Sequence, residues 1–249
     1  MPAVLHIHDN PASLFEATAR RIVELGNEAI AQRGAFHIAL AGGNTPRALY
    51  RCLGAPPLRP LLDWSRVHLW FSDERCVPPD HADSNYRMAV EAMLNRLPVE
   101  LDQFHRMEGE LVPEVAAQRY CDALAVLPHD SEDIPVFDLI LLGLGADGHI
   151  ASLFPETPAL ETYHTPVVAL HSTRLQSWRI TLTLPVLNHA RHVLLIVSGE
   201  KKADVLRHIF HVQPEAVPLP VQLLKPAEGV LEWYIDRDAA RYLPDGGPQ

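Results

Sequence analysis

Residues 137–142 read FDLILL, apolar except for Asp138, and the run ends at once in the glycine-punctuated turn GLGADGH. A short run with apolar side chains on both faces has to be covered from both sides, so it reads as a strand buried inside a sheet. The rest of the chain agrees. Short β-rich runs alternate with helical patterns, the signature of a largely parallel sheet covered by helices.

The first strand is expected over 4–8. Asn10 reads as an N-cap with Pro11 at the first helical position, opening a helix to about Arg33, with Gly34 as its stop. Residues 36–40 are the next strand, followed by AGGNTP and a helix through Leu53. A third strand over 67–71 leads into SDERCVPPDHADSNY and a helix over about 85–96. Helix is expected over 114–127, strand over 179–184, 193–197 and 231–235, and helix over 201–210. The 22 prolines fall mostly in connections such as Pro78-Pro79 and 214–220. One domain over 1–243 is the simplest account, with 244–249 (PDGGPQ) a frayed tail.

Lys and Arg total 21 against 31 Asp and Glu, a net charge of -10, which argues against nucleic acid or an anionic membrane as partner. A small anionic substrate needs only a local positive cluster. Three cysteines without metal-ligand spacing point to a reducing, cytoplasmic setting, and the first residues do not read as a signal peptide.

Four segments carry chemistry. In Gly42-Gly43-Asn44-Thr45-Pro46, two glycines after a strand turn the backbone, and Thr45 is expected to cap the following helix. Free amides and the positive helix end then form an anion site. The spacing is not that of a Walker loop. Asp73, Glu74 and Arg75 lie just past a strand end, where ligands of open parallel sheets bind. There Arg75 is suited to a phosphate or an oxyanion, with the acids orienting it. Lys201 and Lys202 at a helix start, and Arg179 at a strand start, are further positive candidates. The fourth segment is the turn after 137–142. Gly143, Gly145 and Gly148 match G-x-G-x-x-G, but Pro155 and Pro158 interrupt the long helix that a dinucleotide site needs. Asp147 and His149, two apart in a turn, suit acid–base chemistry instead. His6 and His8 share a strand face, with no third metal ligand evident.

Taken together, these segments resemble the 6-phosphogluconolactonase family, within the superfamily that also holds glucosamine-6-phosphate deaminase and ribose-5-phosphate isomerase. The resemblance rests on LAGGNTPRALY (40–50), WFSDERCVPPDHADSNYRMA (70–89), LGLGADGHIASLFP (142–155), RITLTLPVLNHARHVLLIVSGEKKADVL (179–206) and LLKPAEGVLEWYID (223–236). It implies a three-layer, Rossmann-like α/β fold with a mainly parallel central sheet and helices on both faces. It also implies hydrolysis of 6-phospho-D-glucono-1,5-lactone in the oxidative pentose phosphate route, without cofactor or required metal.

On this reading His149 activates water, Asp147 orients the imidazole or favours its charged form, and Arg75 or backbone amides stabilise the oxyanion. Gly42, Gly43, Asn44, Thr45, Asp73, Arg179 and Lys202 surround the sugar phosphate. The partner is then a small-molecule lactone, and the protein a monomer or small homo-oligomer. Two positions depart from the family's usual DGHTASLFPG, Ile150 and Glu156. Ile150 resembles the deaminase branch, but that branch has Asp-Glu-Tyr where this chain has Asp73-Glu74-Arg75. The alternatives are a hexosamine-phosphate isomerase or deaminase and a non-catalytic sugar-phosphate sensor. A sensor of this kind would carry a DNA-binding element, which the charge of -10 disfavours.

Overall fold

A computed structural model describes residues 4–211 and 217–243. The expected tail over 244–249 and part of the proline-rich 214–220 segment lie outside the described residues. In chain order the elements are β1 (Val4–His8), α1 (Pro11–Arg33), β2 (Phe36–Leu40), α2 (Asn44–Leu53), β3 (Val67–Phe71), β4 (Asp73–Arg75), α3 (Asn85–Ala92) and α4 (Pro113–Leu124). Then come β5 (Leu139–Leu142), β6 (Val167–Ser172), β7 (Ser177–Leu182), α5 (Leu184–His189), β8 (His192–Val197), α6 (Ala203–Phe210), β9 (Val230–Asp236) and α7 (Arg237–Ala240).

Six strands form a sheet in the order β1-β9-β8-β5-β2-β3, with every pairing parallel. β5 lies near its middle, and all four of its residues are fully buried. They alternate between the two cores: Leu139 and Leu141 join the cluster containing Leu14, Ile22 and Tyr50, while Ile140 and Leu142 join the one containing Leu124, Leu187 and Leu206. The first cluster takes its helical side chains from α1, α2 and α3, the second from α4, α5, α6 and α7. That is the α/β sandwich the apolar run demanded, and truncating any of these side chains to alanine costs about 2–5 kcal/mol.

Helix α1 begins as read. Asn10 Oδ1 accepts from the Ser13 amide at 3.0 Å, Pro11 opens the helix, and Gly34 closes it at φ 84°. Elsewhere the boundaries differ. The Asn85 helix ends at Ala92 and continues as a separate 3-10 turn, Leu94–Arg96, and the Ala203 helix is preceded by another, Glu200–Lys202.

The larger difference is a second sheet. β4, β7 and β6 form an antiparallel three-stranded unit in the order β4-β7-β6. Strand β6 was not expected from the sequence, and the RITLTL strand leaves the main sheet for this one. Ser72 is the joint: its amide donates to Leu40 in the main sheet at 2.8 Å, while its carbonyl accepts from Leu182 at 2.9 Å. The chain thus crosses from one sheet to the other within a single residue, and the small sheet hangs over the carboxyl ends of the large one.

Candidate active site

The carboxyl ends of β2, β5 and β8, three adjacent strands, open onto one cleft of about 300 Å³. This is the position where an open parallel sheet offers free strand ends to a ligand. Gly42, Gly43, Asn44, Thr45, Asp73, Arg75, His149, Arg179 and Lys202 all line it. Asp147 stands behind His149 and does not line the cleft.

On one wall, Tyr50 pins the backbone before the glycines, its hydroxyl donating to the Ala41 carbonyl and accepting from the Ala41 amide, both at 2.8 Å. Gly43 then turns at φ 102°, and α2 starts at Asn44. Thr45 is therefore not the cap: Gly43 occupies that place with no side-chain cap bond. The first intrahelical amide bond is that of Arg47 to the Gly43 carbonyl, and Pro46 has no N–H, so the free donors at this end are the Asn44 and Thr45 amides.

The facing wall is cationic. Arg75 and Arg179 are direct cross-strand partners in the β4–β7 ladder. Burial lowers the Arg179 guanidinium's affinity for its proton, and the neighbouring Arg75 charge lowers it further. Lys202 is half-buried, and burial pulls its ammonium down against the opposing pull of Asp147. Its Nζ donates to the Leu144 carbonyl at 2.6 Å, tying the turn after β8 to the turn after β5. Lys201 is exposed and outside the cleft, so the two lysines separate cleanly.

The acids beside Arg75 do not orient it. Glu74 is buried and accepts from the Asn85 and Tyr86 amides at 2.7 and 2.8 Å, capping α3 instead. Burial drives its carboxyl pKa up, against those backbone bonds. Asp73 accepts from Ser152 Oγ at 2.7 Å and Asn85 Nδ2 at 3.1 Å, which makes it a strut between β4, α3 and the segment after the histidine. The one side-chain hydrogen bond of Arg75 among the described residues is to the Asp83 carbonyl at 2.6 Å.

The turn after β5 closes through Gly148 N–H to the Gly145 carbonyl at 3.1 Å and Gly145 N–H to the His149 carbonyl at 2.8 Å. No long helix follows it. Its three glycines serve different ends. A Cβ on Gly143 would meet nothing nearer than 4.0 Å, one on Gly145 would fall 2.0 Å from His149 Nδ1, and Gly148 turns at φ 78°. Gly145 is thus the space in which the imidazole lies. His149 Nδ1 stands 2.5 Å from Asp147 Oδ1. Burial pushes the Asp147 carboxyl up, but the hydrogen bond and charge of His149 outweigh it and hold it well below the usual carboxylate range. An ionised carboxylate only accepts, so Nδ1 carries the proton of the neutral ring and Nε2 keeps its lone pair. Among the described residues Nε2 has no hydrogen-bond partner.

The chain matches the family model described as glucosamine-6-phosphate isomerases/6-phosphogluconolactonase over residues 9–233. It belongs to that family. It stands on the 6-phosphogluconolactonase side, the hydrolases. A human 6-phosphogluconolactonase is 39% identical, covering 97% of this chain and 94% of its own. One from Synechocystis is 41% identical, covering 87% and 88%. Among solved structures, the 6-phosphogluconolactonase of Trypanosoma cruzi matches at 31% identity with a TM-score of 0.86, covering 97% of each chain. A monomeric glucosamine-6-phosphate deaminase, at 21% identity and TM-score 0.77, shares the fold.

The two departures within this family's motif have physical readings. Ile150 is fully buried in the core beneath α4 to α6, so an apolar side chain suits it. Glu156 sits at φ 58°, where the usual glycine would be unstrained and a side chain costs about 1 kcal/mol. Sequence reasoning missed Arg174, whose Nη1 donates to Asp147 Oδ2 at 2.5 Å. No motif signals it, because it lies 27 residues away on the turn of the unexpected β6–β7 hairpin. Ser152, which holds Asp73, was visible only as part of the resemblance. His6, weighed as half of a metal pair, hydrogen-bonds Glu232 at 3.1 Å. Among the described residues no three His, Cys, Asp or Glu side chains gather as a metal site.

Proposed function

We propose that this chain hydrolyses 6-phospho-D-glucono-1,5-lactone to 6-phospho-D-gluconate in the pentose phosphate route, with His149 activating the water. The observation that carries this reading is the Asp147–His149 hydrogen bond, which leaves the Nε2 lone pair free in a cleft that also holds free amides and the cations Arg75, Arg179 and Lys202. Nε2 takes a proton from water as the oxygen attacks C1 of the lactone. Arg75 stabilises the oxyanion, and Asp147 stabilises the imidazolium. Collapse breaks the bond from C1 to the ring oxygen, which takes the proton back from His149 and leaves as a hydroxyl. The Asn44 and Thr45 amides, with Arg179 and Lys202, hold the 6-phosphate. The lactone is activated toward water, so a positioned base worth about 10² to 10⁴ in rate suffices.

The cytoplasm is the proposed setting, which three unpaired cysteines fit. The rice relative at 37% identity is described as chloroplastic, a statement about that protein. Among the described residues no helix is long and apolar enough to cross a membrane.

The test generates the lactone with a glucose-6-phosphate dehydrogenase and follows its loss with and without the protein. Wild type accelerates the loss, and His149→Ala lowers kcat by about 10² to 10⁴ with KM little changed. Near-normal turnover in that variant removes His149 from the mechanism, and no acceleration by wild type overturns the assignment.

A further inference from the structure

The β6–β7 hairpin turns over residues 173–176, held by the Leu175 amide on Ser172 Oγ at 3.2 Å. Leu175 lines the cleft, and Arg174 beside it reaches back to Asp147. The two carboxylate oxygens of Asp147 are therefore divided. Oδ1 faces His149 at 2.5 Å, and Oδ2 receives Arg174 Nη1 at 2.5 Å from a different sheet. A carboxylate held at one oxygen can rotate about its last bond, and its histidine swings with it. Held at both oxygens by charge-assisted bonds, it cannot. Arg174 is two-thirds exposed, so as a surface ion pair it adds little to stability. Its effect falls on the group that Asp147 orients.

We propose that Arg174 is a positioning residue, whose grip on Asp147 fixes the His149 imidazole for proton transfer and sets the pH range in which it acts as a base. The inference rests on His149 being the water-activating base. Two consequences differ from those of a structural contact. First, the guanidinium cancels part of the field that Asp147 sets at the imidazole, so removing it changes the pH dependence of turnover. Second, it leaves the phosphate walls untouched, so its loss falls on kcat. The other charged groups facing the pair are Lys202 from the turn after β8 and, on the cleft walls, Arg75, Arg179 and Asp73. All of them remain when Arg174 is replaced.

Arg174→Ala is expected to raise the His149 titration midpoint, read by NMR on the protein without substrate. The acid limb of the kcat profile moves up with it, while kcat at its plateau falls about five- to tenfold and KM changes by less than about twofold. Arg174→Lys, which keeps the charge and loses the fork, restores the titration midpoint and part of kcat. An unmoved His149 titration with unchanged kcat overturns the proposal, as does a raised KM at constant kcat, which makes Arg174 a substrate contact. A wild type inactive on the lactone would fail the proposed function alone, because the NMR titration still decides whether Arg174 governs His149.

Discussion

Replacing Gly145 by alanine tests the proposed catalytic turn without replacing either of its ionisable side chains. The Cβ would stand 2.0 Å from His149 Nδ1, 2.3 Å from its Cε1 and 2.5 Å from Asp147 Oδ1. Ordinary contact for such atoms is about 3.5 Å, so the imidazole has to retreat by about 1.5 Å. The backbone itself accepts alanine, since Gly145 is not among the positive-φ glycines. His149 is partly exposed and has somewhere to go, so the steric conflict resolves by swinging the ring rather than by unfolding. Displacement of a catalytic group by about 1 Å costs on the order of 10²-fold, and kcat should fall by that factor, close to the His149→Ala value. Losing a partly exposed ion pair costs about 1 kcal/mol at most, and reduced freedom of the unfolded chain offsets about half of that. The thermal midpoint should therefore stay within a few degrees of wild type. Coupled lactone consumption, corrected for the spontaneous rate, gives kcat, and calorimetry gives the midpoint. Gly143→Ala, whose Cβ meets nothing nearer than 4.0 Å, should leave the midpoint unchanged or slightly raised. Wild-type turnover by Gly145→Ala would refute the reasoning, because the working imidazole could not then occupy the space beside Gly145.

Acid should weaken the fold through a stack of imidazoles far from the cleft. His37 and His105 are both pulled down to about 4, by burial first and then by neighbouring imidazole charge, with His105 stacked on Trp70 at 3.8 Å. Unfolded histidines take up protons near 6.5, so between pH 6.5 and 4 the unfolded chain binds more of them and stability falls as pH falls. Denaturation across that window should show the decline, and His105→Phe should remove about one proton's worth of its slope; an unchanged slope would exclude the stack as its source. Asp236 is fully buried and accepts from Ser198 Oγ at 2.5 Å and from the Gly199 and Ala239 amides at 3.0 and 2.9 Å. Asp236→Ala strands these donors and should cost about 3 kcal/mol in urea unfolding, and by loosening the loop that carries Lys202 it should raise KM. An unchanged urea midpoint would show that water or relaxation satisfies them.

Much of this was legible because local chemistry and tertiary demand agree. The 137–142 run could be buried only inside a sheet, Asn10 with Pro11 could hardly do other than start a helix, and Pro155 and Pro158 ruled out a nucleotide cradle at the glycine turn that carries Asp147 and His149. What stayed hidden depended on distance. Residues 167–172 have a half-exposed pattern that only pairing with β7 makes a strand. Glu74 looked like a partner for Arg75 because they are adjacent, yet a buried carboxylate is better satisfied by the open amides of a helix end. Thr45 looked like a cap by type, but Gly43 had already turned the chain. Arg174 reaches its partner only because two sheets meet at Ser72.

The cross-strand pairing of Arg75 with Arg179 has a consequence for the resting protein. Two like charges set opposite each other in a ladder repel, and here one of them is already partly stripped of water. An anion bound beside them would offset that repulsion. Any small oxyanion that enters relaxes it, so the choice of buffer is itself a ligand experiment. Phosphate or sulfate should raise the unfolding temperature in proportion to the logarithm of its concentration, and should slow turnover over the same range. The product, which keeps its phosphate and gains a carboxylate, would offset the repulsion further, so product should protect against unfolding at lower concentration than phosphate does.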